Sequence, residues 1–218
     1  MTPSPTGAPL GLRERKKLLT RQNISDTATR LFLERGYDSV TIAEIAEAAE
    51  VAKMTVTNYF PRKEDLVLDI HQAFISGPAA TVRERDPGES ALAALRRAYL
   101  AAIAGKDAVL AGFSGPDFAA LLTGSPALVA RLREFHEDRE RLLADTLAEE
   151  TATPTEDFTA RVAAALLGGV HRILFEEVLR RTVEGESNEA IATALTELAA
   201  AAFDTLEPAL GGYAVRVN

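Results

Sequence analysis

Residues 41–63 hold two short helical patterns separated by a tight break, and this stretch constrains the chain more than any other. Ile42, Ile45, Ala46 and Ala49 recur at three- and four-residue steps, which places them on one face of a helix. After a break near Glu50 and Val51, a second short helix is expected to about Asn58, with Val56 facing inward. Its start and outer face carry Lys53, Met54, Thr55, Thr57 and Asn58. That is the layout of a helix-turn-helix, in which the second helix enters the DNA major groove. The remaining residues are then expected to assemble or regulate a DNA-binding head.

The flanks support this reading. A helix is expected from about Leu12 to Arg35, with Ile24, Ala28, Leu31 and Phe32 on one face and Gly36 as its carboxy-terminal cap. Thr41 and Glu44 match a capping box at the start of the next helix. Pro61 interrupts the third helix, and a fourth is expected from there to about Ser76. Gly77-Pro78 and Pro87-Gly88 read as breakers. Longer helices then follow: one marked by Leu92, Leu95, Tyr99 and Ile103, a short one at 117–122, and others at 126–150, 154–183 and 187–206. No strand-like alternation persists. The expected fold is all-α with about nine helices. The expected division is a tail at 1–11, a helix-turn-helix domain at 12–60, a ligand-binding and dimerisation domain at 61–210, and a tail at 211–218.

Charge first argues against a nucleic-acid partner, because the net charge is −8. Its distribution reverses the argument. Residues 1–72 carry ten basic and ten acidic side chains, so the whole negative excess lies in residues 73–218. Arg13, Arg15, Lys16, Lys17, Arg21, Arg30 and Arg35 outnumber the acids between residues 10 and 35, which suits phosphate contact. Cysteine is absent, which excludes disulfides and thiolate metal sites. No apolar run approaches the roughly 18 residues of a membrane span. No secretory signal core is present either, so a cytoplasmic protein is expected, with no membrane partner. His71, His136 and His171 are too dispersed to argue for a metal, and no cofactor is expected.

Gly36-Tyr37, then Thr41, Ile45 and Ala46, then Val51 and Thr55, then Tyr59, Phe60, Lys63, Glu64 and Leu66 follow one another at a spacing that resembles the TetR family of bacterial regulators. The resemblance covers roughly residues 18–68. It implies DNA contact by Arg21, Thr41, Lys53, Met54, Thr55, Thr57, Asn58, Tyr59 and Lys63. Asn pairs with adenine, Lys donates to guanine, and Met or a Thr methyl touches a thymine methyl. Tyr59 and Lys63 suit the phosphate backbone, although they also read as a core tyrosine and a solvated lysine. Two departures stand out. Ala52 sits where family members often carry a capping Ser, and Thr57 replaces a common aromatic.

The resemblance also implies a homodimer built from the last two long helices, which would read a palindromic double-stranded operator. The sequence offers its own support, because the penultimate helix is apolar on two sides and must be covered on both. Val162, Leu166, Gly169, Val170 and Ile173, with Leu195, Leu198 and Ala202 on the last helix, are the expected interface. The resemblance further implies a pocket for a small hydrophobic effector, for which Phe74, Tyr99, Phe113, Phe118, Leu121, Leu122, Phe135, His171 and Phe175 are the candidate lining. The second domain further resembles an actinobacterial subgroup with acyl-CoA-like ligands, for which Arg96, Arg97, Arg131 and Arg133 are phosphate candidates.

The expected function is a ligand-released repressor. The alternatives are an enzyme or a helical interaction module using the same pocket. No nucleophile elbow or phosphate-binding glycine loop supports an enzyme.

Overall fold

The computed structural model describes residues 11–154 and 158–217. The expected tail therefore lies outside the described residues except for Gly11, as does the stretch 155–157 near the expected start of the penultimate helix. Among the described residues there are nine α-helices, one 3₁₀ turn and no strand. The chain divides into two compact units, residues 1–69 and 70–218.

The head contains α1 (Leu12–Arg35), α2 (Ile42–Ala48), α3 (Lys53–Tyr59) and the 3₁₀ turn Glu64–Leu66. Ile24, Ala28, Phe32, Ile45, Val56, Phe60 and Leu66 interlock as its core and are essentially inaccessible. Gly36 ends α1 at φ +85°, a left-handed backbone that glycine adopts without strain, and its N–H returns to the Phe32 carbonyl at 2.9 Å. The segment 61–69 belongs to this unit, which moves the expected boundary at residue 60 to residue 69. Leu66 is the anchor. Its side chain is buried and its carbonyl accepts from Ser25 Oγ on α1 at 3.0 Å.

The body contains α4 (His71–Arg83), α5 (Ala91–Gly105), α6 (Pro116–Gly124), α7 (Pro126–Glu150), α8 (Phe158–Val183) and α9 (Asn188–Leu210). α7 packs between α4 and α8, and α9 covers α5 and α8. The expected single helix from 61 to 76 is instead the 3₁₀ turn followed by α4. Gly77-Pro78 does not break the chain, because α4 runs through it. A proline inside a helix loses one hydrogen bond and costs about 3 kcal/mol. Pro78 sits on the buried face with Phe74, Ala79 and Val82, where burial offsets that cost.

Residues 211–217 do not form the free tail expected from the sequence. Ala214 is buried, Gly88 N donates to Arg216 O at 2.9 Å, and Arg216 N donates to Glu89 O at 3.0 Å. The Arg216 guanidinium then reaches the carbonyls of Arg83 and Arg85. The carboxy-terminal segment thus ties the end of α4 to the start of α5.

Candidate nucleic-acid interface and ligand site

The turn that presents α3 is held from several sides. Thr41 and Glu44 form the expected capping box: the Thr41 N–H and hydroxyl each donate to Glu44 Oε2 at 2.8 Å, and Glu44 N donates back at 3.3 Å. Arg35 donates to the other carboxylate oxygen at 2.6 Å. Arg35 first, with Thr41 behind it, holds the Glu44 carboxyl down at about 2. Glu50 takes φ +55°, Val51 N bonds to Ala46 O, and Asn23 Nδ2 donates from α1 to Ala49 O at 3.1 Å. The second helix of the motif therefore leaves at a determined angle.

α3 buries Val56 and leaves Lys53, Met54, Thr57 and Asn58 exposed, with Met54 69% accessible. Thr55 and Tyr59 are half-buried. The Thr57 hydroxyl folds back onto Met54 O at 3.1 Å. Ala52 has the extended backbone of a helix N-cap but supplies no side-chain acceptor. Ala52→Ser is therefore expected to stabilise α3 by about 1 kcal/mol. Hydrogen exchange of the α3 amides should slow about fivefold, and unchanged exchange would rule the missing cap out.

Two residues expected at phosphates have structural engagements. Arg21 donates to the carbonyls of Tyr59 at 2.9 Å and Asp69 at 3.3 Å, with its guanidinium 4.2 Å from the Phe60 ring centre. It ties α1 to the end of α3. Lys63 Nζ donates to Tyr37 O at 2.6 Å and lies 4.2 Å from the Tyr37 ring centre. Partial burial lowers its pKa, against the pull of Asp38, Glu64 and Glu44. The Tyr37 hydroxyl donates to Glu64 at 2.9 Å, so this corner is one connected polar cluster.

In the body, the aromatic residues expected around a ligand are not one lining. Phe74, Tyr99, Phe113, Phe135, His171, Phe175 and Leu122 are buried, whereas Phe118 and Leu121 are half-buried on α6. A cavity of about 460 Å³ opens between α6, α7 and α8, and of the nine expected residues Leu122 lines it. Val129, Leu132, Leu179 and Val183 complete its apolar wall, and His136 is among its polar lining. Phe74, Tyr99, His171 and Phe175 instead gather around His136, which the sequence offered only as a dispersed histidine, and Arg139, which the sequence did not single out. Phe175 stands edge-on to Phe74 and to His136, with ring centres 5.4 and 5.7 Å apart. Gly112, at φ +85°, lets the preceding loop close onto the Phe175 ring, since a Cβ there would lie 2.8 Å from Cδ2.

Arg139 is buried on α7, and its Nη2 lies 2.6 Å from His171 Nδ1. A guanidinium only donates, so Nδ1 accepts and the His171 proton resides on Nε2. Tyr99 stacks on His171 at 5.1 Å, and the guanidinium carbon lies 4.8 Å from the Phe74 ring centre. Burial lowers Arg139 to about 10, which leaves it charged at neutral pH. Burial, with the charge of Arg139 behind it, lowers His136 to about 3 and His171 well below its ordinary value. Arg139 Nε and Nη1, His171 Nε2, Tyr99 Oη and His136 Nε2 have no hydrogen-bond partner among the described residues. The signal in the sequence was periodic: Leu128, Leu132, Phe135, Leu143 and Thr146 mark a helical stripe, and Arg139 falls in phase with it.

The expected dimer residues divide in two. Val162, Leu166 and Ile173 are exposed apolar side chains on α8, with Gly169 and Val170 half-buried on the same face. Leu198 is exposed and Ala202 half-buried on α9. Leu195 differs from expectation. It is buried within its own body with Ile191, Ala199 and Phe203, because these four residues share the helical phase that faces α5 and α8.

Residues 24–70 match the profile of bacterial regulatory proteins of the tetR family. The HTH-type transcriptional regulator TcmR of Streptomyces glaucescens is 33% identical over 217 residues, covering 96% of this chain and 93% of the relative. The chain belongs to the TetR family. The HTH-type transcriptional repressor DhaR of a Mycobacterium species is 37% identical over 62 residues, 28% of this chain and 31% of that one. The solved structure of native NalD, the secondary repressor of the MexAB-OprM multidrug efflux pump in Pseudomonas aeruginosa, shares the fold. Its TM-score is 0.54 at 22% identity, over 85% of this chain and 97% of NalD. This TetR-family protein is a transcriptional regulator with a helix-turn-helix head, and regulators of the family are DNA-binding proteins rather than enzymes. Among the described residues, no helix is long and apolar enough to cross a membrane.

Proposed function

We propose that this TetR regulator is a cytoplasmic repressor that binds a palindromic operator as a homodimer and is released by a small, largely apolar effector held in its body. The observation that carries the reading is the presentation of α3. A helix anchored by one inward residue, Val56, offers Lys53, Met54, Thr57 and Asn58 to solvent at the end of a capped and cross-braced turn. Those side chains supply donors, an amide able to pair with adenine, and methyl groups for thymine. A dimer would set two such helices about 34 Å apart on successive major grooves. The exposed stripe of α8 supports that dimer.

Lys63 and Arg21 then act first as braces that hold the head in shape. Of the four arginines that suggested an acyl-CoA effector, Arg96, Arg97 and Arg131 form ion pairs with Asp204, Glu89 and Glu134, and Arg133 alone of the four lines the cavity. An effector that favours a misspaced pair of α3 helices must itself bind operator-bound protein more weakly, by the same factor.

The test selects DNA fragments on the purified protein and measures binding against salt. Affinity should fall steeply as salt rises, and Asn58→Ala should cost about 1–3 kcal/mol on the selected operator. The same variant should leave nonspecific binding nearly unchanged. Binding without sequence preference, or without salt dependence, would sink the proposal.

A further inference from the structure

Two arginines are buried in the body, and their surroundings differ in one respect. Arg85 is charge-paired with Glu150 at 2.7 Å and reaches the carbonyls of Val82 and Glu89. Among the described residues Arg139 has no carboxylate partner: it meets a neutral histidine and the face of Phe74. A buried charge without a counter-charge is costly, and proteins ordinarily pair it. Here the opposite has been assembled. The N–H groups of Arg139 Nε and Nη1, the His171 Nε2–H and the Tyr99 hydroxyl are all donors, all buried, and all without an acceptor among the described residues. His136 connects this cluster to the cavity: it lines the 460 Å³ space, stands edge-on to Phe74 at 5.0 Å, and is one helical turn from Arg139. The rim is balanced, with Arg133 and Arg180 beside Glu176 and Glu184, so the unpaired positive charge lies inside.

We propose that the body captures an organic acid with an apolar, ring-sized skeleton, whose anionic oxygen pairs with Arg139 and accepts from His171 and Tyr99. This rests on the effector-released reading above and narrows its ligand to one chemical class. The apolar wall of Val129, Leu132 and Leu179 receives the skeleton on the cavity side of His136, while Phe74 and Phe175 pack around the His136 ring and Phe74 also meets the Arg139 guanidinium. The volume suits a ligand of drug-like size. A neutral analogue of the same shape keeps the apolar contacts but leaves the guanidinium without its anion. Charge, rather than bulk, is therefore the discriminating feature.

The experiment is calorimetry on the full chain at pH 7.5 with anthracene-2-carboxylate and its neutral carboxamide as probes. The acid is expected to bind at least tenfold tighter than the amide. Arg139→Gln should abolish that preference, and Arg139→Lys, which keeps the charge, should retain part of it. Equal binding of the two probes, no binding of either, or an acid preference that survives Arg139→Gln overturns the proposal. The wild-type comparison decides the matter if Arg139→Gln does not fold. Gel shifts on selected operator DNA separate the two ideas. Arg139-dependent acid binding that leaves DNA bound supports the anion site and refutes effector release. Release by the amide without an acid preference does the reverse.

Discussion

Replacing Leu166 and Ile173 together by glutamate is expected to split the proposed homodimer into monomers and to abolish operator binding at concentrations where the wild type is fully bound. Both residues lie on the outer stripe of α8 and are 41% and 59% exposed in the single chain. Burying a large apolar side chain is worth about 1.5–3 kcal/mol, and roughly half of that remains to be gained at each position. In a twofold interface every substitution counts twice. The loss is then roughly 3–6 kcal/mol, or about 10²- to 10⁴-fold in the dimer dissociation constant, before the cost of placing carboxylates in an apolar seam. The body core should survive, because Leu167, Leu174 and Val178 face inward on the same helix. Sedimentation should show a monomer with unchanged helical circular dichroism. A variant that still sediments as a dimer would place the interface elsewhere.

Acidification supplies the second large effect. His136 is held at about 3 by burial and by Arg139, and His171 is shifted in the same direction by the same causes. In the unfolded chain both titrate near 6.5. Between these values the unfolded state binds more protons than the folded one, so stability is intact above about pH 6.5 and erodes as pH falls. At pH 5 His136 alone accounts for a loss of up to about 2 kcal/mol, and His171 adds to it. The charged carboxylates do not contribute in that window. Glu44 and Glu177, both held near 2 by arginines, lose their stabilising charge only below the ordinary value of 4.5. Thermal denaturation from pH 7.5 to 5 should show a falling midpoint, and His136→Gln should flatten the slope. A midpoint independent of pH over that range would contradict the buried neutral pair.

Much of the head was legible because its constraints are local. A capping box, a glycine terminator and an apolar stripe act within a turn or two of helix, so Thr41, Gly36 and Ile45 announce themselves. The helix ends at Arg35, Gly105 and Glu150 follow from the same local rules. Errors arose where a distant segment supplied the missing stabilisation. Pro78 reads as a breaker until the buried face of α4 is known, and 211–217 reads as a tail until Gly88 and Glu89 are seen beside it. The roles of Arg21 and Lys63 changed for the same reason, since each donates to a carbonyl at least 26 residues away in sequence.

By itself, the sequence determined an all-helical regulator of the TetR family, with the second helix of a helix-turn-helix opening at Lys53 and an acidic body behind a locally basic start. Periodicity and capping suffice for the helices, because they are written in residues three or four positions apart, and the family resemblance rests on the order and spacing of motif residues within roughly 18–68. Only the tertiary structure decided which buried side chains meet. The stripe of α7 turns Arg139 inward, but only α5 and α8 bring Tyr99 and His171 against it, with no carboxylate partner among the described residues. Whether a buried charge is compensated depends on neighbours from other helices, and no spacing along a single helix encodes that.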